Sequence, residues 1–286
     1  MLEKTFGKKR KAKQSNRVLF AVIWVIFALY GISLLYPFLF MLLNSFKTNW
    51  EFLDNVYSIP KVWQFSNYKS TFVEYNFLAM FLNSLMFTVG GTLANIIVTT
   101  IAAYVIARYS FFGRKVLWVL IISVMLIPSI GTLAATYRIM FNLHLINQPV
   151  GVILLYAAPF GMNFLLLHGY FRSVSESYAE AARIDGAGHV ITMFRIMLPQ
   201  ASGGIATITL LLFIGFWNDY MTPYLYLPGV PTIAVSIDRL ANNATSRGEY
   251  TEMFAGMTIA LIPIVVFYCA FQKKILSATM TGGLKG

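Results

Sequence analysis

His144, His168 and His189 are the three histidines of this 286-residue chain, Cys269 is its one cysteine, and eleven side chains are acidic. Hydrolytic, nucleophilic or metal chemistry would have to be built from these. No Cys/His metal spacing is present, and one cysteine cannot form a disulfide within the chain. Neither G-x-S-x-G nor H-E-x-x-H occurs. The glycine-lysine stretches "GGLKG" and "GKKRK" lack the loop length of a phosphate cradle and the Ser/Thr after its Lys. Within long apolar runs the ionisable groups are His168 and Asp219. Enzymes acting at membrane depth pair such groups. These two fall in different runs, near opposite ends, and are expected not to meet.

Two polar places stand out instead. One is "EAARIDGAGHVITMFRIMLPQ", residues 180–200, where Glu180, Arg183, Asp185 and Arg195 sit among small residues. The other is Trp217, Asn218, Asp219 and Tyr220 in "GFWNDYMTPY".

The elements that must position them are apolar. Hydrophobic residues make up 58% of the chain, charged ones 12%, and mean hydropathy is +0.67. Soluble domains carry about 25% charged residues, so this composition predicts an all-α membrane protein. A spanning helix needs about 20 apolar residues. Six runs qualify, at 18–43, 81–107, 116–136, 150–171, 203–227 and 253–271.

Orientation follows from lysine and arginine. Seven of the 22 basic residues precede residue 18. With the N-terminus inside, 16 basic residues fall on the cytoplasmic side and six outside. The expected layout is a basic cytoplasmic segment at 1–17, a six-span domain at 18–272 containing a cytoplasmic loop at 172–200, and a cytoplasmic tail at 273–286, N-in and C-in. The basic N-terminal segment is read as an orientation signal that leans on anionic headgroups, not as a nucleic-acid tail.

Inside the loop, Ser177 and Glu180 have capping-box spacing, as do Ser173 and Glu176. Gly186 and Gly188 supply a stop. Val190, Met193, Phe194 and Met197 then recur at helical spacing, and Pro199 suits the first turn of the fifth span. Two short helices joined by small residues would make a knob for docking a cytoplasmic partner. An amphipathic loop lying on the bilayer would share the pattern.

Asp219 is costly in lipid unless it faces a cavity, a partner or the outer interface. A pathway or outer gate built of Trp217, Asn218, Asp219 and Tyr220 is one reading, and an interfacial aromatic belt is the other. Asn83, Ser84, Asn95, Thr99 and Thr100 give the second span a polar stripe suited to helix–helix hydrogen bonds. The aromatic-rich outer segment at 47–77 would cap the outer face or meet an external protein.

"EAARIDGAGHVITMFRIMLP" resembles the EAA signature of ATP-binding-cassette (ABC) importer permeases. Glu180, Ala181, Ala182, Asp185, Gly186, Ala187, Phe194, Ile196, Leu198 and Pro199 fill its places. "YPFLFMLLNSFKT", "AAYVIARYSFFGR" and "FWNDYMTPYLYL" are similar to carbohydrate permeases of the maltose-transporter type, and the tail "QKKILSATMTGGLKG" to the shorter member of that pair, with Ser277 where a Gly is usual. The resemblance implies a type I ABC importer permease fold. It implies a coupling role for Glu180, Ala181, Ala182, Asp185, Gly186, Ala187, Phe194, Leu198 and Pro199, with Glu180 pairing with a basic ATPase residue. It implies a second, non-identical permease, two ATPase subunits that bind ATP and Mg, an extracytoplasmic solute-binding protein, and a sugar cargo contacted mainly by the other permease. The chain itself would hold no cofactor and do no catalysis, in a prokaryotic cell membrane. An ion-driven secondary transporter would instead show internal repeats and midplane carboxylates. A permease of the same family for a non-sugar solute is the remaining alternative.

Overall fold

A backbone surrounded by lipid must satisfy its own hydrogen bonds, which favours helix. In the computed structural model all regular structure among the described residues is helical. The described backbone covers residues 2–74 and 76–283, and the described side chains those of 19–73, 76–128 and 131–272. Side chains of the basic segment 1–17 and of the tail 273–286 lie outside them.

The helices are α1 (Leu2–Asn44), α2 (Asn49–Asp54), α3 (Ser66–Glu74), α4 (Phe77–Arg108), α5 (Arg114–Leu126), α6 (Ser129–Asn142), α7 (Pro149–Tyr156) and α8 (Met162–Ser173). After these come α9 (Ser177–Ile184), α10 (His189–Ile191), a π-helical turn (Thr192–Met197), α11 (Leu198–Gln200), α12 (Ser202–Trp217), α13 (Met221–Tyr226), α14 (Ile233–Arg247) and α15 (Tyr250–Gly283).

Among the described residues, Leu19–Asn44, Phe77–Arg108 and Tyr250–Gln272 are each long and apolar enough to cross a membrane. Two bent pairs bring the number to five if each counts as one crossing: Arg114–Leu126 with Gly131–Asn142, bent by 113°, and His189–Gln200 with Ser202–Trp217, bent by 78°. Pro37 and Pro263 lie inside continuous helices. The third, fourth and fifth runs of the sequence are each two helices. The third breaks before α6, with Pro128 at its N-cap. The fourth breaks between Tyr156 and Met162, at a segment carrying Pro159 and a Gly161 with φ of +97°. Proline removes an amide donor and glycine admits positive φ. The fifth breaks after Trp217.

The chain packs as two units, residues 1–71 with 243–258 and residues 72–242 with 259–286. The first is held by aromatic rings and buried amides. Phe46 meets Trp63, Phe65 and Tyr68 at 5.0–5.2 Å between centroids, and Phe254 meets Phe40 and Phe52 at 5.8 and 5.3 Å. Asn67 Nδ2 donates to the carbonyls of Ser45 (2.8 Å) and Lys47 (2.7 Å). Lys47 is fully buried, and its Nζ donates to the carbonyls of Asn55 (3.0 Å) and Val56 (3.2 Å).

In the second unit α4 packs along α7, α8 and α12. Its buried face carries Ser84, Thr88, Thr92, Asn95 and Thr99, small polar side chains that let helices approach closely. Asn95 Nδ2 donates to the carbonyls of Tyr156 (2.7 Å) and Ala158 (3.1 Å), where the end of α7 leaves acceptors without helical donors. Thr99 Oγ1 donates back to Asn95 Oδ1 at 3.0 Å. Asn83 Nδ2 reaches the Pro231 carbonyl at 3.0 Å, and Ser84 Oγ accepts the Ile233 amide at 2.7 Å. Asn83, Ser84, Asn95 and Thr99 of the second span's polar stripe are thus spent on hydrogen bonds, whereas Thr100 Oγ1, like those of Thr88 and Thr92, is buried with no partner among the described residues. One hydrophobic core joins Ala103, Tyr104, Phe164, Leu167, Phe171 and Ile208 to Ala179, Met193 and Met197.

Candidate functional site

Residues 177–200 fold as a small knob. The start of α9 differs from the capping-box expectation. Ser177 is already the first helical residue, its amide donates to Ser175 Oγ at 3.3 Å, and no side chain caps the helix. Glu180 lies one turn further along and is exposed, too late to reach back to a cap.

The end of α9 follows from its glycine. Gly186 has φ of +79°, the left-handed region an L side chain resists. The Gly186 amide donates to the Arg183 carbonyl (3.1 Å) and the Ala187 amide to the Ala182 carbonyl (2.9 Å). This is a Schellman motif, which satisfies carbonyls that the helix end would orphan. Gly188 is in extended backbone and opens α10.

Burial divides the knob. Ala179 and Ala182 are buried, and their small size brings α9 close to its neighbours. Glu180, Ala181, Arg183, Asp185 and Ile184 are exposed, Ile184 at 87%. In the second half the expected face of Val190, Met193, Phe194 and Met197 splits. Met193 and Met197 enter the core, whereas Val190 and Phe194 stay exposed, at 69% and 52%. Each pair is spaced by four residues, so the two occupy neighbouring faces of the helix, and only the Met193–Met197 face meets the core; a π turn spans Thr192–Met197. Leu198 is half-buried and Pro199 exposed. Pro199 belongs to the one-turn α11, not to the first turn of α12, because the chain bends at Ala201.

The result is an apolar tip of Ile184, Val190, Ile191 and Phe194, beside two exposed carboxylates. Glu180 and Asp185 make no ion pair among the described residues. Arg183 Nη2 lies 3.8 Å from Glu176 Oε1 with both side chains more than half exposed, a geometry worth little in stability. A buried root and an exposed apolar tip with free charge suit a docking lever.

Trp217, Asn218, Asp219 and Tyr220 occupy the break between α12 and α13. Trp217 is buried, and its Nε1 donates to the Ala260 carbonyl at 3.0 Å. Asn218 Nδ2 returns to its own helix, to the Ile214 carbonyl at 2.9 Å. Asp219 Oδ1 accepts the Thr222 amide at 3.1 Å, and Oδ2 accepts the Tyr156 hydroxyl at 2.9 Å. Tyr220 stacks on Tyr224 at 5.1 Å. The carboxylate therefore closes a broken helix and ties it to α7. His168 lies against Trp118, ring centroids 4.4 Å apart with planes tilted by 44°, and has no part in this arrangement.

Tyr156 is the residue that sequence reasoning missed here. Its place is fixed by the break after it, and Pro159 with Gly161 in "YAAPFGM" is the signal that marks that break. Asn95 stood out as polar, but its acceptors could not be named before the fold was known.

The family model described as binding-protein-dependent transport system inner membrane component matches residues 99–279. The diacetylchitobiose uptake system permease protein NgcG of Streptomyces coelicolor is 30% identical, over 96% of this chain and 91% of its own length. The maltodextrin transport system permease protein MalD of Streptococcus pneumoniae is 28% identical, over 97% and 98%. A chain in the crystal structure of a bacterial ABC transporter that imports the acidic polysaccharide alginate superposes with a TM-score of 0.81 at 25% identity, covering 91% of this chain and 97% of its own.

Proposed function

We propose that this chain, which belongs to the family of binding-protein-dependent transport system inner membrane components, carries a sugar or oligosaccharide across the membrane as one permease of an ATP-driven importer. Permeases of this family are membrane subunits, and the ATPase of an ABC importer is a separate subunit. The named substrates of the relatives, diacetylchitobiose and maltodextrin, and the alginate of the structural neighbour are all saccharides.

One observation carries the coupling role: a knob with exposed Glu180, Ile184, Val190 and Phe194 is rooted through Ala179, Met193 and Met197 in the core that holds α4, α8 and α12. An ATPase subunit that seats Phe194 and Ile184 in an apolar cleft and pairs Glu180 with a basic residue would grip this tip. Close packing below it transmits displacement, since a dense core shifts as a body. A two-state rocking of the helices then follows the ATPase cycle. In this reading ATP and Mg are bound by the ATPase pair, the spans number six with both chain ends in the cytoplasm, and a second permease and an external solute-binding protein complete the assembly. Asp219 serves the shape of the outer half of the fifth span and not direct sugar binding.

The tagged chain, extracted in mild detergent from its host, should bring down a second permease and an ATPase. Charge reversal at Glu180 (Glu180→Lys) should leave the chain inserted and abolish uptake. Normal uptake by that variant would overturn the coupling role of Glu180. A lone, homogeneous chain in the pull-down would overturn the assembly.

A further inference from the structure

Where the end of α4 meets α9 and α10, the second unit leaves a cavity of about 220 Å³. Arg108, Tyr109 and Ser110 line it from one side, and Arg183, His189 and Thr192 from the other. The volume holds several waters at about 30 Å³ each, and so a tetrahedral oxyanion. Its walls are rich in donors. The Tyr109 hydroxyl sits 3.1 Å from His189 Nδ1. Arg108 Nη2 donates to the Val174 carbonyl, while Arg108 Nε is buried with no partner among the described residues. Buried donors left unpaired are costly. Glu176 also borders the cavity, 3.8 Å from Arg183 and largely exposed, and Arg183 Nε donates to the Ala179 carbonyl at 3.3 Å, so the terminal Nη groups are the donors on this wall.

Two guanidinium forks flanked by hydroxyls and an imidazole match an oxyanion with several acceptor oxygens. Basic pockets at the cytoplasmic ends of membrane helices meet anionic headgroups. We infer that this cavity binds a phosphate-class anion, which clamps the end of α4 to α9 and α10. The anion is either a lipid phosphate or free inorganic phosphate. The recognition chemistry is the same, and the binding does not depend on which partner the exposed tip of the knob engages.

The test uses the full chain purified in detergent. Inorganic phosphate is titrated against sodium chloride at matched ionic strength while the unfolding midpoint is followed. In parallel, native mass spectrometry scores phosphatidylglycerol against phosphatidylcholine retained after extraction from vesicles of equal parts of each. A saturable rise of the midpoint identifies free phosphate. Preferred retention of phosphatidylglycerol without a phosphate response identifies the headgroup. In either case Arg183→Gln should weaken binding about tenfold, the loss of one charge-assisted hydrogen bond. Should Arg183→Gln fail to fold, Tyr109→Phe keeps the ring and removes only the hydroxyl donor, with a several-fold loss expected. No saturable phosphate response together with equal retention of the two lipids overturns the inference. Binding unchanged in whichever variants fold overturns it as well.

Discussion

The hydroxyl of Tyr156 donates to Oδ2 of Asp219 across 2.9 Å, and the same carboxylate accepts the Thr222 amide through Oδ1. Tyr156 also lies flat on Phe216, with ring centroids 4.0 Å apart and planes 16° apart. The end of α7 and the break between α12 and α13 are thereby one hydrogen-bonded joint. Tyr156→Phe and Asp219→Asn should each lower stability by about 1 kcal/mol, the scale of interhelical hydrogen bonds in membranes. Their effects should be non-additive in a double-mutant cycle. Unfolding of the purified variants in mixed micelles measures this. Strict additivity would mean that the bond contributes nothing.

Gly91 lies under the same tyrosine. A Cβ added there would come within 2.5 Å of Tyr156 Cδ2 and 3.1 Å of its Cβ and Cγ. The stem atoms cannot swing away without moving α7, so Gly91→Ala should cost about 1–3 kcal/mol by overpacking. Gly215→Ala, with nothing within 4 Å, is the matched control and should be neutral or slightly stabilising. Equal midpoints for the two variants would contradict the packing.

At Gly186 space is open, and the objection to a side chain is conformational, with φ at +79°. Gly186→Ala should cost about 1–2 kcal/mol of local strain, expressed as a frayed end of α9. Gly188→Ala, with φ of −71° and the same open surroundings, should be tolerated. Hydrogen exchange at the amides of 186 and 187 is the direct readout, and it should rise only in the first variant.

Phe194 and Met197 separate the tip of the knob from its root. Phe194→Ala removes an exposed ring, so stability should stay within about 0.5 kcal/mol while uptake falls and ATP turnover is uncoupled from it. Met197→Ala empties a fully buried site and should cost about 2–5 kcal/mol. Uptake assays beside unfolding curves would show the two phenotypes exchanged if Phe194 and not Met197 faced the core.

Lys47 provides a pH signature. Burial lowers its pKa below the usual 10.5, and Glu51 only partly offsets this. Between the folded value and 10.5 the unfolded chain holds a proton that the folded chain has released. Stability should therefore rise with pH across that window and stay flat below it. Lys47→Met, of similar length, should abolish the slope. An unfolding midpoint that falls from pH 9 to 10.5 in the wild type and not in Lys47→Met would reverse the assignment.

Much of the fold was legible in the chain because lipid imposes one rule on every residue. Long apolar runs marked the membrane-length stretches Leu19–Asn44, Phe77–Arg108 and Tyr250–Gln272 within a few residues, and Gly186 marked the end of α9. The breaks in the third, fourth and fifth runs were harder to see. Pro128, Pro159 and Gly161 were visible, but proline also sits inside the unbroken α1 and α15, at Pro37 and Pro263. Whether it interrupts a helix depends on which neighbour can take over the freed carbonyls. Beside α7 that neighbour is Asn95, 61 positions away from Tyr156.

By itself the sequence determined that this chain lives in a bilayer, that residues 180–199 carry a signature of importer permeases, and that no catalytic set is present in its motifs. The first and third follow from composition and local pattern and the second from resemblance to a family signature, and none needs knowledge of what lies opposite. Only the tertiary structure decided that Asp219 is bound to Tyr156, that Met193 and Met197 turn inward while Phe194 and Val190 turn out, and that Arg108, Arg183 and His189 share a cavity. Those facts depend on pairings across long stretches of chain, and on which of two neighbouring helix faces meets the core. Hydrogen bonds and close packing act over a few ångströms of space, regardless of separation along the chain.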